Sequence, residues 1–186
     1  MAVEIKKKVE KELESLQENF IIAVISSSES YSALNTAIVD YMVNKKKMPG
    51  VYVTMNKPYE TVINNLKKCG IDTKKIFFVD AISNVIGNKK LISENCIILD
   101  SPSALTELGI VISKAFGSKK IKFLLMDSLS TMLVYNKVDT TVKFIHYLIT
   151  QLRKYKLSGI ILSLEKDMES KTIDSITQFC DKVIKI

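Results

Sequence analysis

Two kinds of group in this chain could do chemistry on a charged ligand. The first is a serine-rich turn, Ser26-Ser27-Ser28-Glu29-Ser30-Tyr31-Ser32, set between an apolar run and an amphipathic stretch. Backbone N–H groups and the hydroxyls of Ser27, Ser28, Ser30 and Ser32 at a helix start could hold an anion. The second is Asp127-Ser128, which closes the apolar run Ile121–Met126. An aspartate there could hold magnesium through water. Other chemistries fare worse. The single histidine, His146, falls among Phe144, Ile145 and Ile149 as a helix-face residue, so neither Ser101 nor Ser128 has a base for nucleophilic catalysis. Cys69, Cys96 and Cys180 have no metal-ligand spacing and form no disulfide framework, and are expected to be small buried hydrophobes.

The elements that must position these groups alternate. Short, continuous apolar runs at Phe20–Ile25, Val51–Met55, Ile76–Val79, Cys96–Leu99, Ile121–Met126, Gly159–Leu164 and Lys182–Ile186 read as strands. Helical patterns lie between them, at Ser30–Asn44, Lys57–Cys69, 103–116, 139–156 and Lys171–Phe179. Strands without polar alternation are those covered on both faces, so the expected fold is α/β, with a central, mostly parallel sheet between helical layers. The whole chain, 1–186, is expected to form one domain, led by a charged helix over about residues 1–18. That helix carries Val9, Leu13 and Leu16 as a narrow stripe, which docks on its own domain in the preferred reading and on a neighbouring subunit in the alternative.

The chain has 186 residues, 47% of them hydrophobic, and a net charge of +7. No apolar run approaches the roughly 20 residues a membrane helix needs, and the first residues lack a signal-peptide core, so a cytoplasmic protein is expected. The lysines cluster at predicted helix ends and in the turns before strands, where cations complement the helix dipole. Such positions gather at the pole opposite the carboxyl ends of the strands, where ligands bind in parallel sheets. With Arg153 as the only arginine, nucleic-acid binding is a weak reading.

Four stretches, taken in order, resemble the RecA/KaiC-like branch of the P-loop ATPases, in its small single-domain archaeal form. They are the opening segment NFIIAVISSSESYSALNTAIVDYMV, the stretch PGVYVTMNKPYETVINNLKKCGID, the strand IKFLLMDSLSTML with Asp127 at the Walker B position, and the ending ITQFCDKVIKI. The resemblance implies a three-layer RecA-like fold and, in active members, ATP bound between subunits. It also shows where this sequence departs from the family. The phosphate loop aligns with Ser27–Leu34: serines stand for glycines at Ser27, Ser30 and Ser32, Ala33 for the phosphate-holding lysine, and Leu34 for the magnesium-binding hydroxyl. Where the second strand should end in the acid that activates water, the sequence reads Asn56-Lys57. Ser26 and Glu29 have the spacing of a helix capping box, so the turn is expected to serve the helix itself.

The resemblance with these losses implies a non-catalytic module that works through protein contacts or self-association in regulation or assembly, with no cofactor expected. The first alternative is a nucleotide-binding protein, taking ATP with magnesium at an altered site formed by Ser27, Ser28, Ser30, Ser32, Asp127 and Ser128, with Lys57 as substitute cation. The second is an accessory subunit on DNA, with Tyr135-Asn136-Lys137 in the region that recombinases use.

Overall fold

The computed structural model describes residues 2–87, 93–117, 120–165 and 175–186. Seven strands form one sheet in the order β4-β3-β2-β5-β6-β1-β7, and every strand pairing in it is parallel. They are β1 (Ile21–Ser26), β2 (Gly50–Thr54), β3 (Ile76–Asp80), β4 (Cys96–Ile98), β5 (Phe123–Asp127), β6 (Ser158–Leu164) and β7 (Lys182–Lys185). Each lies within two residues of its apolar run in the sequence.

Side chains alternate across the strands, so two cores form. Ile22 and Val24 of β1, Tyr52 of β2, Leu125 of β5 and Ile160 of β6 face one side. There they meet α1 (Ala2–Glu14), α2 (Tyr31–Asp40) and α3 (Tyr59–Lys68). Val51, Val53, Leu124, Met126 and Ile161 face the other side. They meet α4 (Leu105–Gly117), α5 (Leu129–Tyr135) and α6 (Val138–Tyr155). The fold is three-layer α/β. Helices on both faces explain why β1, β2 and β5 are buried along their whole length.

The leading helix docks on its own chain. Ile5, Val9 and Leu13 of α1 are buried in the first core. Lys6 pairs with Asp40 at 2.8 Å, and Lys45 reaches both Glu10 and Glu14, at 3.1 and 2.8 Å. These pairs are largely exposed and add little stability beside the apolar burial.

Three details differ from the sequence reading. Helix α2 runs on as a π-helical turn, Tyr41–Lys45, where a simple helix was expected. Helix α5 was not foreseen, because Leu129–Tyr135 follows β5 with no loop signal between them. Cys69 is exposed at the end of α3 rather than buried, although Cys96 is buried as expected. The predicted helix Lys171–Phe179 begins on residues outside those described.

One close approach fixes β2 beside β5. A Cβ added at Gly50 would lie 2.2 Å from the Phe123 ring, and that ring is 1% exposed. Gly50→Ala is therefore expected to lower stability by about 1–3 kcal/mol through overpacking, read from the midpoint of urea denaturation.

Candidate functional site

Parallel sheets place their ligand crevice beyond the carboxyl ends of the strands. Here that edge carries two buried aspartates, Asp80 at the end of β3 and Asp127 at the end of β5, 0% and 3% exposed.

Asp127 accepts four hydrogen bonds, two on each oxygen. The Tyr31 hydroxyl donates to Oδ1 at 2.5 Å, and the Asn56 amide donates to the same oxygen at 3.3 Å. The Tyr52 hydroxyl donates to Oδ2 at 2.6 Å, and the Asn35 amide joins it at 2.8 Å. A carboxylate offers roughly four acceptor positions, so the protein's own donors fill it. Asn35 also donates to the Tyr52 hydroxyl at 2.7 Å, which closes the inner half of the network into a ring. None of the four donors carries a charge.

The secondary structure explains this convergence. Tyr31 and Asn35 stand one turn apart on α2, so both reach the same side. Tyr52 points from β2 to that side, and β2 lies next to β5 with Thr54 opposite Asp127. Burial, followed by the charge of Asp127, holds the Tyr52 hydroxyl well above its ordinary value of 10.0. The same two causes, in the same order, raise Tyr31. Both phenols stay protonated in the folded state while the unfolded chain ionises near pH 10. The stability they give is complete below about pH 10 and is lost as the pH rises beyond it. Wild-type protein should lose stability above that pH, and Tyr52→Phe should flatten the fall, as followed by denaturation midpoints from pH 8 to 11.

Ser128 is held by partners within the protein. Its hydroxyl accepts from the Thr131 N–H at 3.3 Å and caps α5, and it accepts from the Asn56 amide at 3.2 Å. The Thr131 hydroxyl donates to Asn56 Oδ1. Asn56 thus ties the end of β2 to the start of α5.

The serine turn behaves differently from the expected capping box. Ser26 is the last residue of β1 and is buried, and α2 starts only at Tyr31, with Ser30 in the cap position and no side-chain cap bond. Ser27 replaces the box: its hydroxyl accepts the Ser30 N–H at 3.3 Å and lies 3.3 Å from the Ser30 hydroxyl. Ser28 and Ser32 are exposed, as is Glu29. Leu34 is 0% exposed in the core, and Ala33 packs partly buried against it. The structure thus joins Ser27 with Ser30 and Asp127 with Asn56 and Ser128; Tyr31 bonds Asp127, and Ser32 lines the same crevice.

A crevice of about 70 Å³ opens above Asp127, lined among others by Tyr31, Ser32, Asn56 and Lys57. Ligand pockets ordinarily run from roughly 300 Å³ upward. Asp80 is also filled: it accepts the N–H groups of Tyr59, Ile82 and Ser83 and the Ser83 hydroxyl, at 2.6–2.9 Å. No cluster of three or more metal-binding side chains occurs among the described residues. Asp100 and Ser101 stand on a loop beyond β4, with the Ser101 hydroxyl 2.6 Å from that of Ser103. His146 is exposed on α6, its ring 4.5 Å from that of Phe179.

Sequence reasoning missed Tyr31, Asn35 and Tyr52 as site residues. Asn35 had a signal: an amide beside Leu34 and near Ile38, on a helix whose inner face is otherwise apolar. Tyr31 and Tyr52 had none, since each reads as an apolar core residue.

Residues 36–186 match the model of the family described as ATPase: KaiC. The chain belongs to the KaiC ATPase family. The match of this KaiC-family chain starts after Ser27–Leu34, so the segment aligned with the phosphate loop lies outside it. Among solved structures, the chain is similar to a KaiC-like protein of the hyperthermophilic archaeon Pyrococcus horikoshii. The TM-score is 0.66 at 14% identity, over 91% of this chain and 72% of that one. It is also similar to an uncharacterized protein of the same organism, solved in complex with an unknown peptide. Here the TM-score is 0.71 at 14% identity, over 96% of this chain and 82% of that one. At that identity the likeness is one of fold. No curated protein matches the chain significantly. No described helix is long and apolar enough to cross a membrane.

Proposed function

We propose that this KaiC-family chain is a non-catalytic module that keeps the ATPase scaffold and acts through contacts with other proteins, in regulation or assembly. The observation that carries this reading is the state of Asp127. Its four acceptor positions are taken by Tyr31, Asn35, Tyr52 and Asn56, which leaves none for a magnesium-bound water. Two further departures support it. The resemblance aligns the magnesium-binding hydroxyl with Leu34, which is buried in the core, and the acid at the end of the second strand with Asn56, which holds α5. Phosphoryl transfer is catalysed mainly by positioning and charge neutralisation, so losing lysine, hydroxyl and base together removes nearly all of it. A neighbour of the same fold was solved with a bound peptide, which fits a scaffold used for protein contact.

The test is ATP turnover by the purified protein with magnesium. Phosphate release at the buffer rate is expected; release that scales with protein and is lost in Asp127→Asn would contradict the reading.

The second reading is a nucleotide-binding protein with an altered site. One observation favours it: the first N–H groups of α2 have no side-chain cap from Ser30, next to exposed Ser28 and Ser32. There Lys57, which lines the crevice, would supply the cation.

A further inference from the structure

Seven lysines line grooves at the amino edge of the sheet, opposite the Asp127 crevice. Two grooves open on that edge, and Pro49 lines both. The first, about 470 Å³, has Phe20, Met42 and Met48 in its wall beside Lys46, Lys47 and Lys122. The second, about 600 Å³, runs between α4 and the starts of β3 and β5. Phe77, Ile97, Val111 and Ile121 form its apolar surface, with Lys74, Lys75, Lys114 and Lys120 around them. Ile97, on the edge strand β4, is 41% exposed.

Helix dipoles account for only part of this. Lys74 and Lys75 end a single 3-10 turn, Thr73–Lys75, before β3, and Lys120 and Lys122 lie outside any helix before β5. Among the described residues Glu18 is the one acid lining either groove. Lys75 lies 3.9 Å from Asp72, and Lys46 lies over the Tyr41 ring at 5.5 Å. Lys47, Lys74, Lys114, Lys120 and Lys122 have no acidic partner within ion-pair distance among the described residues.

We infer that this amino edge is a docking surface for an acidic peptide segment of a partner protein, one that places leucine- or phenylalanine-sized anchors in the second groove and carboxylates against the lysines. The inference rests on the protein-contact reading above and names its surface and partner chemistry. Charge complementarity selects the occupant. A second copy of this chain carries the same basic edge and a net charge of +7, so two such edges repel each other. A nucleic acid would match the lysines but leave Phe77, Ile97, Val111 and Ile121 uncovered. A groove of this volume lies in the range that buries anchor side chains.

The test is fluorescence anisotropy with a labelled synthetic helix-forming peptide, leucines on one face and glutamates elsewhere. Three controls accompany it: the peptide with serine for leucine, the peptide with glutamine for glutamate, and an oligothymidylate of equal charge. Saturable binding of the parent peptide alone is expected. It should weaken by about tenfold or more in the double variant Lys74→Glu, Lys120→Glu and in Ile97→Ser, and stay unchanged in Lys57→Glu at the opposite edge. Circular dichroism shows that the variants remain folded. Absence of saturable binding, or equal binding of the serine peptide or the oligonucleotide, overturns the proposal. ATP turnover by the wild-type protein would defeat the non-catalytic reading while leaving the peptide result standing. Failed peptide binding without turnover defeats only this surface.

Discussion

Asp127→Ala is expected to lower folding stability by about 3–4 kcal/mol, which for a chain of this size is a fall of roughly 6–16 °C in melting temperature. The carboxylate is 3% exposed and accepts from four side chains. Removing it leaves the buried hydroxyl of Tyr52 and the buried amide of Asn35 without their shared acceptor, and each unsatisfied buried donor costs about 1–3 kcal/mol. Asn35 and Tyr52 can still bond each other, which places the total below the sum of the separate losses. An aspartate kept for metal chemistry behaves otherwise: active sites commonly gain stability when a strained or charged group is removed. Calorimetry of wild type and variant, both without nucleotide, separates the two cases. A melting temperature unchanged or raised in Asp127→Ala would mean that the network is not holding the fold.

Leu34→Thr is expected to cost about 2–4 kcal/mol. This substitution places a hydroxyl at the position that the resemblance aligns with the phosphate-loop hydroxyl. Leu34 is 0% exposed in the core formed by α1, α2 and the sheet. Threonine would remove buried methyl groups, leave a cavity and bring in a hydroxyl that needs a partner. The position belongs to the apolar core, so a hydroxyl cannot be placed here without a loss in stability. Urea denaturation measures the cost. A change below about 0.5 kcal/mol would show that the site tolerates a hydroxyl, as an exposed position would.

The sheet was legible because its strands are short apolar runs bounded by turns and charges, a local signal. All seven runs became strands, in one parallel sheet. The leading helix was legible from Val9 and Leu13, and both are buried. The missed helix α5 and the π-helical turn after α2 depend on how neighbouring elements pack, which periodicity does not encode.

The candidate site was legible only in outline. Asp127 announces itself as an acid at the end of an apolar strand, and the lack of any lysine between Asn19 and Asn44 can be read directly. The bonds that decide what Asp127 does come from Tyr31, Asn35, Tyr52 and Asn56, between 71 and 96 residues away along the chain. Tyr31 and Tyr52 look like core residues until the fold brings their hydroxyls to one carboxylate. The capping box failed for a related reason. Ser26 extends β1 alongside β6, paired with Leu164, so it is not free to cap a helix.

The most direct measurement of the central claim is a thermal-shift titration with ATP, with and without magnesium. A site of about 10 μM affinity would add about 2.7 kcal/mol at about 1 mM nucleotide, a rise of several degrees. The account predicts no shift at that concentration, with or without the metal. A magnesium-dependent rise that disappears in Asp127→Asn would contradict it, and would mean that the carboxylate gives up its protein donors to hold a metal and a nucleotide.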